Sequence, residues 1–300
     1  MLKREQTRFA ALDCLKLENG ALALWVTRTL GPRIIGLALH GGESLFAELP
    51  DATLDYPGEG TFYLRGGHRL WHAPEDPQRT YIPDNDPVVM EDVPGGVRII
   101  QPVEAQTGIR KSITVTLPDD GAQVLVDHSL QNLGQAPVEL APWAITQVKP
   151  GGMAILPQTS GPMDEAGVLP NRVLALWPYT SVTSPHITWG DRYILVDANL
   201  QQGALKLGFP NPEGWLGYIL EDTLFVKHAE YRPGAFYYDH GSSSECYCNP
   251  QFLELETLGP RATLAPGDSL SHREHWQIHS QVAFSENEDE LHALLTSLGI

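Results

Sequence analysis

Apolar and polar residues alternate with period two through most of the chain, which predicts strands rather than helices. Residues 12–18 and 21–27 flank Asn19-Gly20, a pair that supplies the positive φ angles of a tight hairpin. Residues 33–39 form a third apolar run ending at Gly41-Gly42. The clearest hairpin joins 109–117 to a partner in which Val124, Val126, His128 and Leu130 alternate with Leu125, Asp127 and Ser129, with Pro118-Asp119-Asp120-Gly121 as the turn. Residues 97–103, 138–148, 193–197, 204–209, 215–220 and 223–228 add further strands. Near the end, Phe252, Glu254 and Glu256 share one face of a strand and Leu253 and Leu255 the other, which can enter a core. Gly259-Pro260 ends that strand and Ala265-Pro266-Gly267-Asp268 is a turn signal, so 270–278 is expected to return beside it as a carboxylate-bearing β-hairpin. Only the terminus reads as helical: Ser285 as cap, acids at 286 and 288–290, and a stripe of Leu291, Leu294, Leu295 and Leu298. Strands at this density predict an all-β fold, a large antiparallel β-sandwich with a short C-terminal helix.

The pattern breaks between about residues 50 and 95, where Pro57, Pro74, Pro77, Pro83, Pro87 and Pro94 interrupt any regular ladder. An irregular insertion of this length in a compact domain is usually functional or disordered. Tyr56, Phe62, Tyr63, Trp71 and Tyr81 argue for packing, because aromatic side chains need a surface to rest on. No Ser/Gly or charge-rich linker divides the chain, so residues 1–300 are expected to form one domain carrying this insertion.

A chain of 300 residues with 42% hydrophobic content can bury roughly 75% of its unfolded surface without disulfides or a structural metal. The formal charge of -17, with only 20 Lys and Arg, opposes binding to a phosphate backbone and excludes nucleic acid as the expected partner. A local pocket holding Arg65, Arg69 or Lys227 is still compatible with an acidic small molecule. The first twenty residues contain no uninterrupted apolar core of a leader, and no apolar run approaches the ~18 residues of a membrane span. Cys14, Cys246 and Cys248 are odd in number, and Cys246-Tyr247-Cys248 is too tightly spaced for a zinc knuckle, so reduced thiols and a cytoplasmic protein are expected.

Two polar stretches carry candidate chemistry. One is the Glu254 and Glu256 face; the other is Arg65-Gly66-Gly67-His68-Arg69-Leu70-Trp71-His72-Ala73-Pro74-Glu75-Asp76. Two glutamates on a strand face are more often a solvated surface than a site. His68 and His72 suit acid and base work near neutrality, since an unperturbed imidazole titrates at about 6.5; hydrogen-bonded loop histidines are the plain alternative. Trp71 and Trp143 stand among polar groups, as sugar-stacking aromatics do. His272, His275 and His279 add further imidazoles, yet no spacing matches a His-Glu-x-x-His helix, and no metal or cofactor is expected. The nucleophile elbow, phosphate loop and dinucleotide motifs are absent from the sequence.

Taken in order, Gly31-Pro32-Arg33-Ile34-Ile35-Gly36, Arg65-Gly66-Gly67, Gln131-Asn132-Leu133-Gly134 with Val138-Glu139-Leu140, and Glu254 ahead of Leu264-Ala265-Pro266-Gly267 resemble the galactose mutarotase-like superfamily, the aldose-epimerase-type β-supersandwiches. The resemblance implies a concave sheet holding a sugar, with a late-strand glutamate as general base and a histidine as general acid. It makes Glu254 the base, with Glu256 its alternate; His68 or His72, from the irregular insertion, would have to substitute as the acid. Where the epimerases place their acid histidine this chain reads Leu140-Ala141-Pro142-Trp143-Ala144-Ile145-Thr146, and an indole N–H donates hydrogen bonds without giving up its proton. Arg33, Arg65 and Lys227 are candidates for a carboxylate or phosphate on the sugar, with ordinary surface charge as the alternative. Three readings remain: an aldose epimerase or mutarotase-like isomerase, a non-catalytic carbohydrate-binding protein, and an assembly subunit pairing through an exposed β-edge as a homo-oligomer.

Overall fold

The structure, a computed structural model, describes residues 2–56 and 60–300, so Pro57 and the side chain of Tyr56 lie outside the described residues. Two antiparallel sheets, of 12 and 10 strands, are stacked face to face. In the larger sheet, Gly60–Ala73, Val138–Val148, Leu253–Leu258, Ser244–Cys248 and Leu205–Phe209 lie side by side in that order. In the smaller, Thr223–Ala229, Ser269–His279 and Gln123–Asn132 are neighbours. Alternating residues of both sheets meet in one core that includes Leu24, Ile34, Phe46, Ile113, Val126, Leu253, Leu255 and Trp276. At its centre Phe46, Phe225 and Trp276 pack edge to face with centroids 5.5 to 6.0 Å apart, the arrangement favoured by aromatic quadrupoles.

Most predicted strands form close to their expected limits; three local expectations do not hold. Strands Leu253–Leu258 and Ser269–His279 belong to different sheets, so there is no carboxylate hairpin. Past the break at Gly259-Pro260, the short strand Ala262–Leu264 pairs with Val138–Leu140, and the chain then crosses to the other layer. The Asn19-Gly20 turn forms, but neither residue has a positive φ. Instead Asn19 Oδ1 accepts from the N–H groups of Ala21 and Leu22 at 2.9 Å, and its amide donates to the carbonyls of Pro118 and Gly121. One buried side chain thus closes two turns. The C-terminal helix runs Glu288–Leu298, and its cap is Asn287, whose side chain accepts from Asp289 and Glu290; Ser285 lies ahead of the cap.

The stretch expected to be irregular contains two paired strands, Glu48–Tyr56 and Gly60–Ala73. Four prolines, Pro74, Pro77, Pro83 and Pro87, gather in the loop that follows, where a missing N–H disturbs no ladder. Pro50 falls where the register of the Glu48–Tyr56 pairing shifts, and Pro94 in the turn between Val89–Val93 and Gly96–Ile100. Within Gly60–Ala73, Arg65, Gly66 and Gly67 are consecutive residues of positive φ. A Cβ at Gly66 would lie 1.7 Å from the carbonyl oxygen of Ala47, so only glycine fits that approach. The kink also changes which residues face outward: Phe62 and Leu64 before it share a cluster with Trp71 after it, although strict alternation would separate them.

Candidate functional site

Register places the polar side chains of five adjacent strands on the face of the larger sheet turned away from the core. Gln147 is paired with Glu254, Ile145 with Arg69 and Glu256, Trp143 with Trp71, Glu256 with Glu245, and Lys206 with Tyr247. A cleft of about 530 Å³ opens above them, floored by Arg69, Glu254 and Lys206 and walled by Trp71, Tyr81, Trp143, Tyr179 and Tyr247. A second recess of about 320 Å³ adjoins it and shares Glu75, Trp143 and Lys206.

The floor is an ionic lattice of three carboxylates and two cations. Arg69 Nη2 and Gln147 Nε2 each donate to Glu254 Oε1 at 2.9 Å, while the Arg69 guanidinium stacks 4.1 Å above the Trp71 ring. Lys206 Nζ lies 2.9 Å from Glu256 Oε2 and 2.7 Å from Glu245 Oε2, held between the rings of Trp143 and Trp177. Trp143 Nε1 donates to the same Glu256 oxygen at 2.6 Å. The lattice is enclosed: Glu256 and Glu245 are 0% exposed and Glu254 only 8%. Burial drives the Glu254 carboxyl upward, Arg69 opposes this, and Glu256 adds to it; the net direction is up. Burial pushes Glu245 well up against the pull of Lys206, with Glu256 reinforcing the rise. For Lys206 burial disfavours the ammonium, but the two carboxylates outweigh it and hold the amine well above its ordinary range. Arg69 Nε and Nη1, Gln147 Oε1 and Glu256 Oε1 are buried without a hydrogen-bond partner. The enclosed layer beneath the cleft is therefore short of hydrogen-bond partners.

The sequence candidates divide between the two faces of the sheet. Glu254, Trp71 and Trp143 line the cleft, and Glu256 lies beneath it, bonded to two of its walls. His68, His72, Arg33, Arg65 and Lys227 are elsewhere. Arg33 grips Asp84 with two nitrogens and the carbonyls of Tyr63 and Leu64 with its terminal amines, fixing the kinked strand. Arg65 stacks on Tyr63 and donates to Asn85. His72 is buried with Nε2 3.6 Å from Glu104, which also binds Lys111.

His68 points between the sheets, into a hydrogen-bonded chain whose protons can be assigned from its partners. His128 Nδ1 faces the carbonyl of His272 at 2.9 Å and must donate to it, which leaves Nε2 to accept. His68 Nε2 therefore donates to His128 Nε2 at 2.7 Å, and its Nδ1 accepts from Thr146 Oγ1 at 2.8 Å. Thr257 Oγ1 donates to Glu274 Oε1, so His272 Nε2 donates to Thr257 at 2.7 Å. Lys227 Nζ closes the network, 2.9 Å from Glu274 and bonded to Thr146 and to the carbonyls of Ala144 and Leu255. Burial, the largest influence on each ring, depresses all three imidazoles, His272 to about 3. His68 is thus a neutral interior histidine on the far side of the sheet from Glu254. Among the described residues His68, His128 and Glu274 also form a grouping with metal-ligand spacing, their ligand atoms within 4.8 Å of one another. Its nitrogens are engaged in the chain above, and Lys227 is the cation beside its carboxylate.

Sequence reasoning missed Lys206, Glu245 and Gln147; it named Glu75 only as part of the 65–76 stretch, Arg69 there and as a possible anion holder, and Tyr81 only as a packing aromatic. A lone lysine between Leu205 and Leu207 in an apolar strand was the available signal for Lys206.

No family model matches the chain, and no curated protein does. Solved structures do. A galactose mutarotase-like protein from Lactobacillus casei ATCC 334 matches with a TM-score of 0.56 at 12% identity, over 89% of this chain and 100% of that one. A proposed aldose 1-epimerase from Escherichia coli K12 matches with a TM-score of 0.54 at 12% identity, over 88% and 98%. A TPR-domain containing protein from Parabacteroides distasonis ATCC 8503 gives a TM-score of 0.60 at 12% identity over 92% of this chain; the chain spans 48% of that protein's length. The fold is that of the galactose mutarotase-like β-sandwiches. Among the described residues no helix is long and apolar enough to cross a membrane.

Proposed function

We propose that the concave cleft binds a sugar and that Glu254 is the general base of an epimerase-like proton transfer at its anomeric centre. The observation that carries this reading is the enclosed carboxylate of Glu254, oriented by Arg69 and Gln147 at the foot of an aromatic-walled cleft. A carboxylate whose proton affinity is raised by burial is a stronger base than an ordinary one. Trp71 and Trp143 line the cleft as an apolar wall compatible with the C–H surface of a sugar ring, and the Arg69 guanidinium, stacked on Trp71, places a cation on its floor. The names borne by the structural neighbours, a galactose mutarotase-like protein and a proposed aldose 1-epimerase, support the same class of ligand.

Ring opening needs a second group to protonate the ring oxygen. Among the described residues no histidine lines the cleft; its phenols, Tyr81, Tyr179 and Tyr247, are all raised, chiefly by burial, and are weak proton donors. This favours, as the second reading, a carbohydrate-binding protein without turnover. Anomer exchange measured by NMR across a panel of neutral, acidic and phosphorylated sugars separates the two. Catalysed exchange that disappears in Glu254→Gln and survives in Glu256→Gln supports the base assignment. Saturable binding without exchange selects the binding protein, and no response to any sugar removes both readings.

A further inference from the structure

The cleft above Glu254 does not end at Trp143. On the far side of that indole lies the second recess, of about 320 Å³, bounded by Pro74, Glu75, Pro77, Trp143, Trp177, Lys206 and Asp239. Either space alone falls within the volume of ordinary ligand pockets, about 300–1,000 Å³. They share three side chains, Glu75, Trp143 and Lys206, so the two recesses adjoin across these residues.

Resting on the sugar reading above, we infer that the two recesses are successive sugar subsites and that the ligand is a saccharide of at least two residues. Each recess has its own aromatic lining: Trp71, beneath the Arg69 guanidinium, in the first, and the half-buried Trp177 in the second. Each also has polar groups not consumed by the protein. In the first, Arg69 on the floor keeps Nε and Nη1 unpaired, both enclosed by the protein. In the second, the carboxylate of Asp239 has no hydrogen bond or ion pair among the described residues, its backbone carbonyl being taken by Ser242, and the Glu75 carboxylate takes only the hydroxyl of Tyr81. Carboxylates free of cations are acceptors for sugar O–H groups. At the junction Lys206 makes two contacts, to Glu245 and Glu256, and an ammonium has three hydrogens to give. Its remaining N–H is available to an oxygen between the two rings. Nearby acids also select against anionic sugars, because the second recess offers a bound phosphate or carboxylate two uncompensated negative charges and a lysine already neutralised twice.

Isothermal titration of the full chain with a matched series, one hexose, its disaccharide and its trisaccharide, tests this directly. The expected result is a gain of about tenfold or more from one ring to two and a smaller gain from two to three. Trp177→Ala and, separately, Asp239→Asn should each bring the ratio of disaccharide to monosaccharide affinity toward one. Asp239→Asn alters no ring and no packing surface, so it remains informative if the tryptophan variant misfolds. Equal affinity for the hexose and the disaccharide, or a ratio unchanged in the variants, overturns the second subsite and leaves the sugar reading standing. Absence of binding by every member of the series overturns both.

Discussion

Lys227→Met probes the buried network behind the cleft, and the structure fixes both the size and the pH dependence of its effect. Lys227 is fully enclosed, and its ammonium is the cation nearest Glu274, itself fully enclosed and also bonded by Thr257 and Trp276. Methionine keeps most of the length and removes the charge, leaving a buried carboxylate without its ion-pair partner. Such one-sided removal costs about 3–5 kcal/mol. With an unfolding entropy of roughly 2.1 cal/mol/K per residue, a 300-residue chain loses about 0.6 kcal/mol per degree, so Tm should fall by about 5–8 °C near pH 8.

The loss should shrink on acidification. In the wild type the three imidazoles are depressed below their unfolded value of about 6.5, so their contribution is present above that pH and is lost as pH falls toward the folded values. Lys227 is one of the charges holding them down. Once it is gone, Glu274 draws a proton onto a neighbour; His68 Nε2 and His272 Nε2 each lie 3.9 Å from one of its oxygens. An imidazole raised in this way stabilises the fold below its unfolded pKa and stops doing so as pH rises through its folded pKa. Urea denaturation of both proteins near pH 8 and near pH 6 should therefore show the larger deficit at the higher pH. Lys227→Met combined with Glu274→Gln should recover most of the loss, because no buried charge is left unpaired. A deficit below about 1 kcal/mol, or one equal at both pH values, would refute the assignment of Lys227 as the cation of this network.

Three further outcomes follow from the same geometry. Arg69→Met leaves Glu254 buried beside Glu256 with no guanidinium, so the variant should lose about 3–5 kcal/mol by denaturation, and its Glu254 carboxyl carbon should titrate at higher pH by NMR than in the wild type. Gly66→Ala forces a Cβ against the Ala47 carbonyl at a φ of +83°, and a loss above about 3 kcal/mol, or failure to fold, is expected; a neutral result would mean the kink is not needed. Imidazole 15N spectra near pH 7 should show His128 protonated on Nδ1 and His68 and His272 on Nε2, with none of the three charging at the ordinary imidazole value of about 6.5; a titration there by any of them contradicts the hydrogen-bond chain.

Alternation was enough to bring the right residues to the right face wherever a strand ran without interruption. It put Glu254 and Glu256 opposite Leu253 and Leu255, and the sheet keeps them so. The same parity separates His68 and His72 from Trp71, an odd number of positions away, and with it the histidines from the cleft; treating 65–76 as one irregular cluster hid that distinction. What alternation cannot carry is a change of phase or of partner. Three successive positive φ angles at Arg65, Gly66 and Gly67 reverse the phase of the strand, and nothing in the local polarity of the sequence marks the reversal. Partner choice is more remote still. The hydrogen bond from Arg69 to Glu254 spans 185 positions, and the contact between Lys206 and Glu256 spans 50, across strands whose order is set by the packing of the whole sandwich. The single lysine between two leucines therefore reads in isolation as an oddity. Only beside Glu245 and Glu256 does it become the charge that allows those two carboxylates to stay buried under the cleft.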